Sequence, residues 1–198
     1  FVTGTEAVDA TLLQACPQLR AVCSMAVGYN NIDLGACTAR GVLVSNAPDV
    51  LTETTADFGF ALMMAAARRI SESEHFLRAG NWSRWGHDMF AGADVHGATL
   101  GVLGMGRIGG EVAKRALAFG MRVLAYDPFL TEARAKAMGV ELAADLDDVY
   151  RDADFISVHM PVTDQTKGML NAAAFSRMKP GVRIVNCARG EILVENDL

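Results

Sequence analysis

The turn Gly104-Met105-Gly106-Arg107-Ile108-Gly109 constrains this chain more than any other feature, because each of its glycines stands where a side chain would obstruct the same piece of architecture. An apolar run, Leu100-Gly101-Val102-Leu103, ends at the first glycine as a strand. A helical pattern opens at Gly109, runs to Phe119 and is closed by Gly120, and a second apolar strand over residues 122–126 ends in Asp127. Strand, glycine turn, helix and strand in that order make a βαβ unit, which belongs in a parallel sheet. Gly104 permits the tight turn, Gly106 lets the backbone approach a pyrophosphate, and Gly109 lets the helix pack closely on the strand. The amides of Arg107 and Ile108 then face the anion at the helix N-terminus. The six-residue pattern alone is a weak signal. The flanking strand, the helix, and an acid at roughly 20 residues' distance favour a dinucleotide-binding fingerprint over a structural turn with an incidental acid.

Asp127 is placed to accept hydrogen bonds from the adenosine ribose hydroxyls, and its charge repels a 2′-phosphate, so the site is expected to take NAD in preference to NADP. Pro128 and Phe129 supply no cation for such a phosphate; Arg134 is the nearby residue that could.

From Ala98 onward the alternation is regular. Strands are expected over residues 99–103, 122–126, 140–142, 154–158 and 182–186, with helices over 109–119, 131–138 (closed by Gly139), 146–150 and 171–178. That pattern is an α/β fold with a Rossmann-type, doubly wound parallel sheet covered on both faces. Upstream, residues 19–25, the turn Gly28-Tyr29-Asn30-Asn31, a helical pattern to Gly41 and the strand 42–44 suggest part of another α/β unit. Between the two, residues 53–70 with Thr52 as N-cap read as a helix apolar on almost every side. Such a helix is expected to be buried over most of its surface, either as an ordinary core helix or as one that bridges domains or packs on a second subunit. Residues 80–95, with Trp82, Trp85 and Phe90, read as an irregular arm.

A net charge of −5 and a pI near 5.3 argue against a nucleic-acid partner and leave small molecules as the expected ligands. The longest apolar stretch, Phe58 to Ala67, is far short of the roughly 20 residues that span a bilayer, so no membrane anchor is expected. Cys16, Cys23, Cys37 and Cys187 form no CxxC pair, which offers no zinc site and fits a reducing cytoplasm. The chain starts at Phe1 without a signal-like segment and stops at Glu195-Asn196-Asp197-Leu198, which read as the opening of a helix, so a fragment is expected.

The last strand leads into Cys187-Ala188-Arg189-Gly190 and puts a guanidinium at the carboxyl edge of the sheet, where ligands of open α/β sheets bind. Arg189 reads either as a bidentate clamp for a carboxylate or as a solvated arginine before a loop. Of the four histidines, His159 alone ends a strand on the cofactor side, where it suits a wall of the adenine region. Cys187 has no evident activating partner and reads as packing.

Taken together, Val27-Gly28-Tyr29-Asn30-Asn31-Ile32-Asp33, the glycine turn with Asp127, His159-Met160-Pro161 through Thr166, the stretch PDVLTETTADFGFALMMAAARR and the strand VNCARG resemble the D-isomer-specific 2-hydroxyacid dehydrogenases over nearly the whole chain. Within that family the stretches GNWSRW and Pro48-Asp49-Val50-Leu51-Thr52 look most like glyoxylate/hydroxypyruvate and 2-ketogluconate reductases, and VNCARG also looks like phosphoglycerate dehydrogenase.

The resemblance implies residues 1–48 as the remainder of a flavodoxin-like substrate domain. It implies residues 49–198 as an NAD-binding domain, C-terminally incomplete, with a bridging helix and dimerisation arm over 52–96. It gives Val27 and Gly28 the loop amides that hold a substrate carboxylate, and Arg189 the binding of the carboxylate and carbonyl of a 2-oxo acid. It puts Thr55, Pro161, Thr166, Cys187 and Ala188 along the cofactor, and gives Trp85 either closure of a partner subunit's substrate pocket or simple arm packing. The implied activity is NAD-dependent reduction of a small 2-oxo acid to its D-2-hydroxy acid by a homodimer. The family's acid–base histidine and its glutamate partner match nothing here, so the chain alone is expected to be inactive. A different class, an NAD(H)-sensing corepressor that keeps the same fold, is the alternative.

Overall fold

A computed structural model describes all residues, 1–198. The chain folds as two units, Phe1–Thr52 and Glu53–Leu198.

In the first unit, α1 (Ala10–Ala15) and α2 (Leu34–Ala39) accompany two parallel strands, β1 (Ala21–Cys23) and β2 (Leu43–Ser45). Asp9 and Asp33 cap the two helices by accepting the N–H three residues ahead, a favourable exchange for groups that a helix start otherwise leaves open. Val8, Leu13, Val22, Ile32, Cys37 and Val42 form its small core. The pattern expected from the sequence begins at Leu19 and does not include α1.

The second unit opens with α3 (Thr52–Ala67) and α4 (Ile70–Arg78). Arg69 sits between them in the left-handed region, φ 51°, where the helical ladder breaks. The single helix expected over 53–70 is therefore two, and within this chain the first of them is buried along one face. Ala56, Gly59, Phe60, Met63 and Ala67 face the core, whereas Phe58 is 59% exposed and Leu62 38% exposed. The arm that follows carries no regular element before Val95.

Five parallel strands come next: β3 (Thr99–Leu103), β4 (Arg122–Tyr126), β5 (Glu141–Leu142), β6 (Phe155–Val158) and β7 (Arg183–Asn186), in the order β5-β4-β3-β6-β7. The chain winds outward from β3 through β4 to β5, then returns to lay β6 on the other side of β3. Between β3 and β6 the winding reverses, which makes that gap the topological switch point. Helices α5 (Arg107–Ala118), α6 (Glu132–Met138), α7 (Leu146–Asp152) and α8 (Ala172–Phe175) connect the strands.

Alternation along the strands builds two cores. Leu100, Val102, Val123, Phe155 and Val185 pack with α3 and α5, while Leu103, Leu124, Ile156 and Val158 pack with Val149 and Tyr150 of α7. Gly120 and Gly139 end α5 and α6 with φ of 73° and 72°, as their placement in the sequence predicts. Two expected helices differ: α8 is only four residues long, and the C-terminal residues Glu195–Asp197 form a 3-10 turn. No helix is long and apolar enough to cross a membrane.

Candidate functional site

The site is assembled at the carboxyl edge of the five-stranded sheet. Gly104 leaves β3 at φ 98°, a conformation that side chains resist, and a Cβ there would fall 2.7 Å from the carbonyl oxygen of His159 at the end of β6. Loop and strand end therefore touch across the switch point. Gly109 is closer still to its neighbour: a Cβ on it would fall 1.9 Å from the Gly104 carbonyl oxygen, so the first turn of α5 docks on the loop only because the residue is glycine. A Cβ on Gly106 would meet nothing within 4 Å, and this residue opens α5 with no side-chain cap. The loop backbone is thus open to a ligand beside a helix N-terminus, the arrangement that suits a pyrophosphate.

Asp127 follows β4. Its Oδ2 accepts the N–H of Met105 at 2.7 Å and its Oδ1 accepts the N–H of Phe129 at 2.8 Å. Both oxygens keep lone pairs for further donors such as ribose hydroxyls. Gly104, Gly106, Asp127, His159, Pro161 and Thr166 all line one cavity of about 580 Å³, within the range of small-molecule sites. Thr166 also shapes its wall by donating to the Pro161 carbonyl at 2.6 Å and accepting the Thr163 N–H at 2.8 Å. Arg134 lines a separate depression with Gly106, Arg107 and Lys114 rather than this cavity.

His159 follows the β6 face that carries Phe155 and Ser157. Its Nε2 lies 2.8 Å from Ser157 Oγ, and burial holds the imidazole at a pKa of about 4 against an ordinary 6.5, so it is neutral near pH 7. A Cβ placed on Gly59 of α3 would touch both His159 Cε1, at 3.9 Å, and Cys187 Sγ, at 3.7 Å. Thr55 stands one turn earlier on that helix. Burial pushes the Cys187 thiol upward, away from the thiolate form.

Beyond β7, Asn186 holds the loop at both ends, accepting the Ala188 N–H at 3.0 Å and donating to the Arg189 carbonyl at 2.8 Å. The Arg189 guanidinium donates to the Ala188 carbonyl at 2.9 Å and pairs with no carboxylate, which leaves most of its fork open to an anion.

The remaining candidates are not among the residues that line the cavity. Ile108 lies in the first turn of α5, and Trp85, 73% exposed, lies in the arm with its ring 6.4 Å from that of His87. Val27 and Gly28 belong to the first unit, where the Val27 carbonyl accepts from Asn46 at 2.8 Å. The sequence reading missed Leu146, Met160, Thr163, Gln165 and Met169 in the cavity wall, and Asn186 behind Arg189. Only Asn186 carried a readable signal, since Asn commonly bonds its own backbone two residues on.

Residues 60–198 match the family model for the D-isomer specific 2-hydroxyacid dehydrogenase, NAD binding domain. This chain belongs to that family. It is 47% identical over 195 residues to a glyoxylate reductase of Korarchaeum cryptofilum, covering 98% of this chain and 58% of the relative. It is 46% identical over 195 residues to a D-3-phosphoglycerate dehydrogenase of Mycobacterium tuberculosis, covering 98% of this chain and 36% of that protein. Among solved structures, D-lactate dehydrogenase from Aquifex aeolicus, complexed with NAD and lactic acid, superposes with a TM-score of 0.90 at 34% identity, covering 99% of this chain and 58% of the other. The chain thus spans little more than half of the reductase it matches, and less of the phosphoglycerate dehydrogenase.

Proposed function

We propose that the protein to which this chain belongs is an NAD-dependent oxidoreductase that interconverts a small 2-oxo acid and its D-2-hydroxy acid. The observation that carries the reading is Arg189, held by Asn186 at the carboxyl edge of β7 with no carboxylate partner, on the same sheet edge as the glycine loop. A planar fork suits the adjacent carboxylate and carbonyl oxygens of a 2-oxo acid. Bound NADH would supply a hydride from C4 of its nicotinamide.

This chain's own residues bind and orient. Gly106 and the start of α5 accommodate the pyrophosphate, and Asp127 receives the ribose hydroxyls while its charge disfavours NADP. Pro161 and Thr166 wall the cavity, with Thr55, Cys187 and Ala188 toward the nicotinamide. Val27 and Gly28 of the first unit, read as the remainder of the substrate domain, offer backbone donors to the substrate carboxylate. No residue here is assigned the proton transfer to the substrate oxygen, and the chain alone is expected to be inactive.

Glyoxylate and hydroxypyruvate are the substrates favoured, in view of the reductase likeness; phosphohydroxypyruvate is the second reading, supported by the 46% identity to the mycobacterial dehydrogenase. We read the assembly as a homodimer on the bare apolar face of α3, Phe58 and Leu62, together with exposed Trp82 and Trp85 in the arm. Four free cysteines support a reducing, cytoplasmic setting.

The test is to express the product of the whole gene and follow NADH and NADPH oxidation with glyoxylate, hydroxypyruvate, 2-ketogluconate, pyruvate and phosphohydroxypyruvate, alongside sedimentation. NADH-dependent turnover of one of these by a dimer is expected. No turnover of any, or a preference for NADPH, overturns the corresponding part of the reading.

A further inference from the structure

Ser157 lies in the middle of β6, 2% exposed, and its hydroxyl has one partner, His159 Nε2 at 2.8 Å. The two side chains share a face of the strand because they are two residues apart. A hydroxyl carries one hydrogen and a neutral imidazole carries one N–H, so two arrangements are possible. If Nε2 held the proton and donated to Oγ, the hydroxyl hydrogen would be buried with no acceptor. That costs about 1–3 kcal/mol. If the hydroxyl donates to the Nε2 lone pair, both atoms are satisfied and the imidazole proton resides on Nδ1.

Nδ1 itself has no protein partner, yet it is not sealed from solvent, since no buried side-chain nitrogen or oxygen lacks a partner. His159 stands at the switch point, its carbonyl against Gly104 and its ring beside Gly59 and Cys187. A low pKa keeps the ring uncharged at neutral pH.

We infer that Ser157 fixes His159 as the Nδ1–H tautomer, so that the imidazole presents a neutral N–H donor at the switch point to an acceptor oxygen in the diphosphate–second-ribose part of the dinucleotide. Ser157 is then a positioning residue that acts through His159. The inference rests on the dinucleotide reading of the site and adds to it an orientation that the sequence did not disclose.

The experiment uses the whole-gene product labelled with 15N in its histidines. Long-range 1H–15N correlations of the free protein should show His159 Nε2 as the unprotonated nitrogen and Nδ1 as the protonated one. Ser157→Ala should abolish that fixed pattern and weaken NADH and ADP-ribose about three- to tenfold, the worth of one net hydrogen bond, while AMP changes less than about twofold. Ser157→Thr, which keeps the hydroxyl, should restore both the pattern and the affinity. A wild-type spectrum with the proton on Nε2 overturns the inference, as does NADH affinity in Ser157→Ala within about twofold of wild type, or a loss shared equally by AMP. Failure of the wild-type protein to bind NADH, AMP or ADP-ribose at all would instead overturn the reading of the site, while the spectrum still reports the tautomer.

Discussion

The backbone N–H of Met105 donates to Asp127 Oδ2 at 2.7 Å, so the acid at the end of β4 holds the glycine loop at the end of β3. Asp127 therefore shapes the loop, besides the ribose contact proposed for it. Asp127→Ala should weaken NADH roughly tenfold to a hundredfold, since hydrogen bonds to a charged group are worth about 1.5–3 kcal/mol. NADPH should gain relative to NADH but stay weaker than NADH is in the wild type, because the loop has lost its clasp. Fluorescence titration with both nucleotides checks this.

Arg189→Lys keeps the charge but loses the planar fork. With the whole protein, KM for the 2-oxo acid should rise about tenfold to a hundredfold and NADH affinity should stay unchanged, consistent with the loss of a bidentate charged pair worth roughly 1.5–3 kcal/mol. Steady-state kinetics and direct NADH titration separate the two.

His159 gives a signed pH dependence. The unfolded imidazole takes up a proton below about 6.5, whereas the folded one does so only near 4, so the unfolded state binds more protons between these values. Stability from this group is fully present above pH 6.5 and falls as the pH drops toward 4, by at most roughly 3 kcal/mol. Urea unfolding at pH 7, 5.5 and 4.5 should show a smaller acid loss for His159→Gln than for the wild type.

Gly109→Ala puts a carbon 1.9 Å from the Gly104 carbonyl oxygen and 3.4 Å from Val102 Cγ1. The start of α5 must move away from the loop. Overpacking of this kind costs about 1–3 kcal/mol, so a lower Tm and loss of NADH binding are expected together in thermal melts and titration.

Arg115 joins α5 to α3, reaching Glu53 at 2.6 Å and Asp57 at 2.6 Å, with Glu111 of its own helix at 3.0 Å. These carboxylates raise its pKa further above the ordinary arginine value. Because Glu53 and Asp57 are exposed, Arg115→Met should cost only about 1 kcal/mol at low salt and less at high salt. Denaturant unfolding at two ionic strengths measures it.

The parts of this molecule legible in the sequence are those where one residue type answers one local demand. Gly104 and Gly109 have no workable substitute at their contacts, and Asp127 directly follows the apolar run Val123-Leu124-Ala125-Tyr126, so loop, βαβ unit and acid could be read together. Other parts depend on which distant chain segments meet. Met160 and Met169 line the cavity, yet methionine fills gaps anywhere, and nothing in their spacing announces a wall. The break at Arg69 was hidden for a similar reason, since arginine favours helix and its left-handed turn has no local cue. Composition at α3 does not say which face is covered within the chain, for Phe58 and Leu62 are apolar and bare. Nothing in the sequence announces the hydrogen bond between Ser157 and His159, because serine in a strand is ordinary.

The contact between Gly109 and Gly104 also reaches the gene. Every missense change in a glycine codon adds at least the same first carbon, from alanine to tryptophan, and that carbon alone is what the Gly104 carbonyl excludes. At this codon the third base is free to drift, and the protein can absorb no other change without moving the helix that opens the nucleotide site.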